Sequence, residues 1–155
     1  MEARLGAVAV KSFKDLIVWQ NARVFTVHAY NAFGMTRDYG FRDQIQWADI
    51  SIMNNISEGH AKRSDKAFRN FLYIALGSAA EVESMLLVAG DLEYINLETQ
   101  QSLLQEVDSI SRLLNAFIRK LAQSSSLPGR QPTASRLCRP IGLINLAYAI
   151  LGVLC

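Results

Sequence analysis

The side chains that most often act as catalysts or metal ligands are scarce in this sequence, which has two histidines and two cysteines. His28 lies among the apolar residues of a helical pattern, and His60 forms no His-Glu-x-x-His zinc motif. Cys138 and Cys155 lie near the C-terminus, without the number or spacing of a disulfide framework or a zinc site. Glycine-rich nucleotide-binding motifs and Gly-x-Ser-x-Gly nucleophile motifs are also missing from the sequence. These residues predict a protein that is not an enzyme and has no metal and no cofactor.

The most unusual polar side chains fall in one segment, Ser51–Gly59, on or beside an apolar seam. A buried amide or carboxyl group without a hydrogen-bond partner costs about 1–3 kcal/mol, so such groups need partners. Two interpretations remain open: a polar network that fixes helix register or oligomeric state, or a site lined by these groups for a ligand or a partner. The residues of this predicted network are Asn54, Asn55, Glu58, Gly59, Ser78 and Glu81.

Four stretches with the apolar periodicity of helices must position these side chains. They cover residues 13–33, 39–62, 65–89 and 97–123, and their apolar residues recur at alternating spacings of four and three. The seams are Val18, Ala22, Phe25, Ala29 and Ala32; Phe41, Ile45, Ala48, Ile52 and Ile56; Phe68, Leu72, Ala75, Ala79, Val82, Leu86 and Ala89; and Leu103, Val107, Ile110, Leu114, Phe117 and Leu121.

Short breaks with capping residues separate the four stretches. Thr36 or Asp38 can cap the second helix, Ser64 the third and Asn96 the fourth. Four helices joined by short loops predict an all-α fold, an up-down-up-down antiparallel four-helix bundle. Small residues in the third stretch, with Gly77 nearby, predict a close approach between helices.

The two ends of the chain differ in composition from the bundle, residues 13–123. Residues 1–12 are interpreted as an untargeted lead-in, because their apolar run is too short for a secretory signal. Residues 124–140 contain all three prolines and no acidic residue, which is typical of a linker. Residues 141–155 are almost wholly apolar but shorter than the ~17–25 residues of a spanning helix. This short apolar tail could pack on the bundle or a partner, act as a marginal anchor, or have no function in the domain.

Three motifs in order give the chain a resemblance to a known family. They are Phe13-x-x-Leu16-x-Val18-Trp19-Gln20, then Gln44 with Ser51-Ile52-x-x-Asn55-Ile56-x-Glu58-Gly59, then Phe71-Leu72-x-Ile74-Ala75-x-Gly77-Ser78-x-x-Glu81-x-Glu83. Over residues 13–122 the sequence resembles the bacterial four-helix-bundle proteins encoded in 23S rRNA intervening sequences. Gly34 stands where that family usually has a proline after the first helix.

The resemblance carries expectations about assembly and partners. It implies a small cytoplasmic bundle that forms a ring-shaped homopentamer. A related branch, the accessory proteins of diversity-generating retroelements, is similar in fold and binds nucleic acid beside a reverse transcriptase. The resemblance carries over no catalytic residues, and a membrane partner is not expected.

The net charge of only +2 conceals a predicted polarity along the bundle. One end of an up-down bundle would collect Lys11 and Lys14 with six further basic residues, against three acidic residues. The other end would hold two basic and seven acidic residues. A basic end is typical of proteins that bind the phosphate backbone of RNA or DNA. Two other interpretations remain open: basic residues also stabilise helix C-termini, and oppositely charged ends also favour head-to-tail contact between subunits. The alternative function is a protein-interaction scaffold that binds no nucleic acid. The candidate nucleic-acid-binding residues are Lys62, Arg63, Lys66, Arg69, Arg119 and Lys120.

Overall fold

Four antiparallel helices form the described part of the protein. The structure is a computed structural model that describes residues 12–124. A 3₁₀ turn, Phe13–Asp15, precedes α1 (Ile17–Phe33), α2 (Tyr39–Ala61), α3 (Asp65–Asp91) and α4 (Leu97–Ser124). Each helix packs on two others, so that α1 and α3 both contact α2 and α4. The four-helix bundle predicted from the sequence is therefore confirmed, while the predicted lead-in, linker and apolar tail lie outside the described residues except at Ser12 and Ser124.

Polar caps begin three of the four helices where the sequence predicted them. Asp38 Oδ1 accepts a hydrogen bond from the Phe41 amide at 3.0 Å, and Asn96 Oδ1 accepts one from the Thr99 amide at 2.8 Å. Ser64 Oγ accepts from the amide of residue 67 at 3.4 Å. Each cap satisfies an amide that the first turn of a helix leaves without a backbone partner.

The start of α1 differs from the continuous helix predicted from residue 13. Ser12 and Asp15 form a reciprocal capping box around the 3₁₀ turn, in which the Ser12 amide donates to Asp15 Oδ2 at 3.0 Å. Leu16 is then extended, with φ −77° and ψ 118°, and its side chain is buried. Because the capping box closes the turn and Leu16 enters the core, the α-helix begins only at Ile17.

The predicted seams form the core with small changes. The buried residues of α3 include all seven predicted ones, and those of α1 and α2 include Val18, Phe25, Ile45 and Ile52. At the end of α1 it is Phe33 that is buried, whereas Ala32 is only half-buried. In α4, Ile118 is buried, while Phe117 and Leu121 are half-buried. A straight helix rotates relative to a strict heptad pattern, which shifts the buried face in its last turns.

A close approach between helices lies at Gly59, where α2 meets α3. A Cβ atom built on Gly59 would lie 2.7 Å from the Phe71 Cβ and 2.7 Å from the Phe68 Cδ2. Gly77 is exposed and a Cβ there would meet nothing within 4 Å, so Gly77 itself takes no part in the close approach predicted for the small residues of α3. Gly77 has this different role because it lies on the outward side of α3, two positions from the buried Ala75 and Ala79.

At the opposite end, the α1–α2 and α3–α4 connections are joined by Asp38 and Tyr94. The Tyr94 hydroxyl donates to Asp38 Oδ2 at 3.0 Å, and the Tyr94 ring packs edge-on against Phe41 at 5.2 Å. Hydrogen bonds from the Phe41 amide and then from Tyr94 hold the pKa of Asp38 below its usual value. The same contact raises the pKa of Tyr94, because a phenolate would face the carboxylate.

The two glycines provide a matched test of helix packing. We expect Gly59→Ala to destabilise the fold by about 1–3 kcal/mol, because the new methyl group overlaps side-chain atoms close to the α3 backbone. Gly77→Ala should instead stabilise it by up to about 1 kcal/mol, since alanine is the better helix former and the site is open. Urea unfolding at equal protein concentration measures both, and equal effects of the two substitutions would contradict the assignment of Gly59 to the helix contact.

The Asp38–Tyr94 contact predicts a change in carboxyl titration. In Tyr94→Phe the carboxylate loses one donor, so we expect the pKa of Asp38 to rise toward its usual value. A lowered carboxyl pKa stabilises the fold at pH values above the pKa of the unfolded chain, and this contribution is lost as the pH falls through the folded-state pKa. The variant lacks part of the contribution, so it should lose less stability on acidification. Carboxyl NMR titration measures the shift, with Tyr39→Phe at the exposed start of α2 as the control. An unchanged Asp38 titration in Tyr94→Phe would rule out the contact.

Candidate nucleic-acid interface and buried polar groups

The predicted basic residues lie where the α2–α3 turn meets the end of α4. The rings of Phe68 and Phe117 pack edge-on with centroids 5.1 Å apart, which joins the first turns of α3 to the last turns of α4. The candidate side chains therefore come from both sides of this aromatic contact. Of them Lys62, Arg63, Lys66, Arg119 and Lys120 are exposed and Arg69 is half-buried.

The α2–α3 turn places Lys62 and Arg63 by different means. Lys62 Nζ lies 3.2 Å from Glu58 Oε1 and 5.2 Å from the centroid of the Phe71 ring. An exposed ion pair of this kind contributes little to stability and is weakened by dissolved salt. The Lys62 ammonium can therefore exchange Glu58 for another anion. Arg63 has φ 53°, a left-handed conformation that favours glycine after a helix. A charged side chain thus occupies a position where glycine would be easier to accommodate.

The opposite end repeats this arrangement with the opposite charge. Glu93, which follows the end of α3, also has a left-handed conformation, with φ 56°. Arg42 lies beside Asp43 with 3.4 Å between side-chain atoms, and its guanidinium stacks on the Tyr39 ring at 4.7 Å. The remaining residues predicted for this end are Arg37, Asp38, Asp91 and Glu98 at the end itself, whereas Glu81 and Glu83 lie in the middle of α3, close to the level of Ser78. Of the residues counted at the basic end, only Lys11 lies outside the described part of the chain.

The polar cluster between α2 and α3 is smaller than the sequence predicted. Ser51 Oγ and Ser78 Oγ lie 2.8 Å apart, and Asn55 Nδ2 donates to the Ser51 carbonyl at 2.7 Å and to its hydroxyl at 3.0 Å. Ser78 also donates to the Ile74 carbonyl at 3.2 Å. The cluster therefore satisfies its own polar groups across the helix contact, as a network that fixes helix register would.

Three residues predicted for this network lie outside it. Asn54, Glu58 and Glu81 are exposed. Asn54 and Glu58 each follow a buried isoleucine of α2 by two positions, and Glu81 follows Ala79 by two. Two residues correspond to a rotation of roughly 200° around a helix, which directs these side chains away from the core. The expectation that they join the polar network was wrong for this reason.

The fully buried polar residue that the sequence interpretation missed is Asp49. Its side chain is 0% exposed within the hydrophobic core, and the Thr26 hydroxyl of α1 lies 3.0 Å from Asp49 Oδ1. Within residues 12–124, no hydrogen-bond partner is found for Asp49 Oδ2. Burial raises the pKa of Asp49 to about 7, although the hydrogen bond to Thr26 opposes the rise. The spacing of Ile45, Asp49 and Ile52 is itself a helical seam, so this was the signal in the sequence.

Both histidines make contacts that give them structural roles. His28 Nδ1 lies 3.0 Å from the Glu106 carboxylate and joins α1 to α4 at the surface. The His60 ring packs edge-on against Phe68 with centroids 5.9 Å apart. Across residues 12–124, no group of three or more potential metal-ligating side chains comes together.

Apolar side chains also cover the outer faces of two diagonally opposed helices. Ile17, Val24 and Val27 of α1 are exposed. On α3 they are matched by Tyr73, Ile74, Leu87 and Val88. Among the described residues, α3 is the one helix long and apolar enough to cross a membrane by length and composition. Its high apolar content reflects two faces, one in the bundle core and one on the outside.

Taken together, these features define a small antiparallel four-helix bundle with basic side chains gathered at one end. The model of the family described as 23S rRNA-intervening sequence protein matches residues 14–116. This chain belongs to that family, whose function is unknown.

A solved structure of similar fold supports the same assignment. It is a protein of unknown function from the S23 ribosomal protein family of Bacteroides thetaiotaomicron, with 29% identity and a TM-score of 0.64. The match covers 66% of this chain and 99% of that chain. No curated protein matches the sequence.

Proposed function

We propose that this protein is a non-enzymatic, oligomeric four-helix bundle that binds the RNA or DNA backbone through its basic end. The observation that carries the proposal is the convergence of basic side chains from the α2–α3 turn and the end of α4, joined by the Phe68–Phe117 contact. Phosphate contacts need exposed cations and do not need base-specific geometry. The family name refers to the genetic location of its members and identifies no ligand.

The local backbone supports a role for the charge at this end. Arg63 occupies a left-handed position that any residue other than glycine adopts at a cost of about 1–2 kcal/mol. Local strain of this kind is found where a side chain serves a function. Exposure of Lys66, Arg119 and Lys120 leaves their charged groups accessible to phosphates.

Oligomerisation would multiply the basic end. The outer apolar faces of α1 and α3 lie on diagonal helices and differ in their residues, which suits contact between unlike faces of neighbouring subunits. Such heterologous contacts form a closed ring when the rotation between subunits permits it. A ring of parallel bundles would carry all its basic ends on one side. The resemblance described above makes a homopentamer in the cytoplasm the expected assembly.

Charge reversal tests the nucleic-acid interface. We expect Lys66→Glu with Lys120→Glu to weaken binding strongly. The slope of the logarithm of the binding constant against the logarithm of the salt concentration should fall in magnitude by about 0.7–0.9 for each phosphate that the protein no longer neutralises. The matched control, Arg23→Glu with Arg37→Glu, changes the net charge equally at exposed residues outside the basic end. Fluorescence anisotropy with a labelled RNA oligonucleotide and a DNA duplex, at about 50 and 200 mM NaCl, measures both. Equal weakening of binding by the two pairs, or no binding by the unaltered protein at low salt, would overturn the proposal.

The outer apolar faces favour a second candidate, a scaffold that associates with proteins and binds no nucleic acid. In that case deletion of residues 124–155, or Val24→Glu with Val27→Glu, should abolish association, and RNA should leave the assembled mass unchanged. Light scattering of these proteins with and without RNA measures both effects. Because Val24 and Val27 are exposed, the double substitution spares the core. An RNA-dependent mass at low salt would exclude the scaffold alternative.

A further inference from the structure

The hydrogen-bond geometry at Asp49 favours a proton on its carboxyl group, because Thr26 has two oxygen neighbours and only one hydroxyl hydrogen. Thr26 Oγ lies 2.9 Å from the Ala22 carbonyl oxygen and 3.0 Å from Asp49 Oδ1. A hydroxyl has one hydrogen to donate, and a carbonyl oxygen can only accept. When Thr26 donates to Ala22, the contact with Asp49 becomes a hydrogen bond only if the carboxylic acid donates to Thr26. Protonated Asp49 thus completes a chain from Asp49 through Thr26 to the Ala22 carbonyl.

We propose that α1 is docked on the bundle through this proton-dependent contact, and that ionisation of Asp49 promotes release of α1. Ionised Asp49 would have to take the Thr26 hydrogen away from Ala22. Its Oδ2, which is fully buried and has no partner within residues 12–124, would then carry charge in the core. Separation of α1 from α2 lets water reach this carboxylate, and no other helix has to leave the bundle.

The packing makes α1 the helix that opens most easily. It is the shortest of the four helices, and its contacts with α2 and α4 are less extensive than those that α3 makes with the same two helices. Local opening selects elements with few buried contacts. The contact surface of α1 comprises its five buried apolar residues, the partly buried Trp19 and Ala32, and the half-buried Thr26.

Within residues 12–124, no basic side chain pairs with Asp49, and the charged side chains of the central turns face outward. Arg23 and His28 of α1 are exposed, as are Glu81 and Glu83 of α3 and Asp108 of α4. Arg112 of α4 is exposed and pairs with Asp108 at 2.6 Å, and Glu106 pairs with His28. On α2 itself, Asp43 is exposed beside Arg42. Asp49 itself lies on the buried face of α2 with Ile45, Ala48 and Ile52.

The sign of the pH effect follows from the titration of Asp49 in the two states. Burial raises its pKa to about 7 in the docked state, whereas an open, hydrated carboxyl titrates near its usual value of about 4. Between about pH 4 and pH 7 the docked state binds the additional proton, so the equilibrium constant for opening rises up to about tenfold per pH unit. Above about pH 7 both states are ionised and the equilibrium levels off.

Hydrogen–deuterium exchange of the full chain, corrected for the intrinsic pH dependence of exchange, tests the proposal. We expect opening of α1 to increase up to about a hundredfold between about pH 5 and 7, while α3 stays protected. In Asp49→Asn the amide can donate to Thr26 at every pH, so this increase should disappear and α1 should remain protected. The pair formed by His28 and Glu106 is present in both proteins, so its contribution to α1 exchange is common to both and cancels in the comparison.

Three further variants separate a local contact from a general loss of stability. Asp43→Asn removes an exposed carboxylate from the same helix and should retain the full pH dependence of α1 exchange. Thr26→Val removes the acceptor for Asp49, so α1 should exchange faster even near pH 5, whereas Thr26→Ser should retain protection. The proposal is overturned if Asp49→Asn keeps the wild-type pH dependence, or if α1 and α3 lose protection together.

Discussion

The contact between α2 and α3 around Gly59 determines the position of most of the charged surface. Because a Cβ at residue 59 would overlap Phe68 and Phe71, only glycine allows the end of α2 to lie this close to the start of α3. The same two phenylalanines continue the contact outward, Phe68 to Phe117 of α4 and Phe71 to the Lys62 ammonium. The aromatic contacts that close the base of the bundle thus support the side chains that form its basic end.

The two ends of the bundle share a construction and differ in charge. Each has a turn with one charged residue in the left-handed region, Arg63 at one end and Glu93 at the other. Each is closed by edge-on aromatic pairs, Phe68 with Phe117 and Phe41 with Tyr94. The aromatic pairs provide the packing, so the exposed residues around them are free to differ. Charge can therefore accumulate with one sign at each end without disturbing the core between them.

Polar groups inside the bundle fall into two chemically different sets. Ser51, Asn55 and Ser78 satisfy one another and the helix backbone, so they join α2 to α3 without any dependence on pH. Asp49 and Thr26 join α2 to α1 through a buried carboxyl group whose Oδ2 has no partner within residues 12–124. The α2–α3 pair, which has the most extensive contact, is thus joined by groups that do not titrate. The least extensively packed helix, α1, is joined to α2 by a group that does.

The sequence by itself determined the four helices, most of their ends and nearly all of their apolar core. Periodicity and capping depend on residues within a few positions of one another, which is why Asp38, Ser64 and Asn96 could be assigned without a structure. Helical spacing by itself already places Asn54, Glu58 and Glu81 away from the seam and Asp49 on it. Only the tertiary structure decided that Leu16 interrupts the first helix and that Asp49 meets Thr26 in the core. These outcomes depend on how far each helix is rotated toward its neighbours. That rotation is set by packing between residues distant in the sequence, such as Gly59 against Phe71.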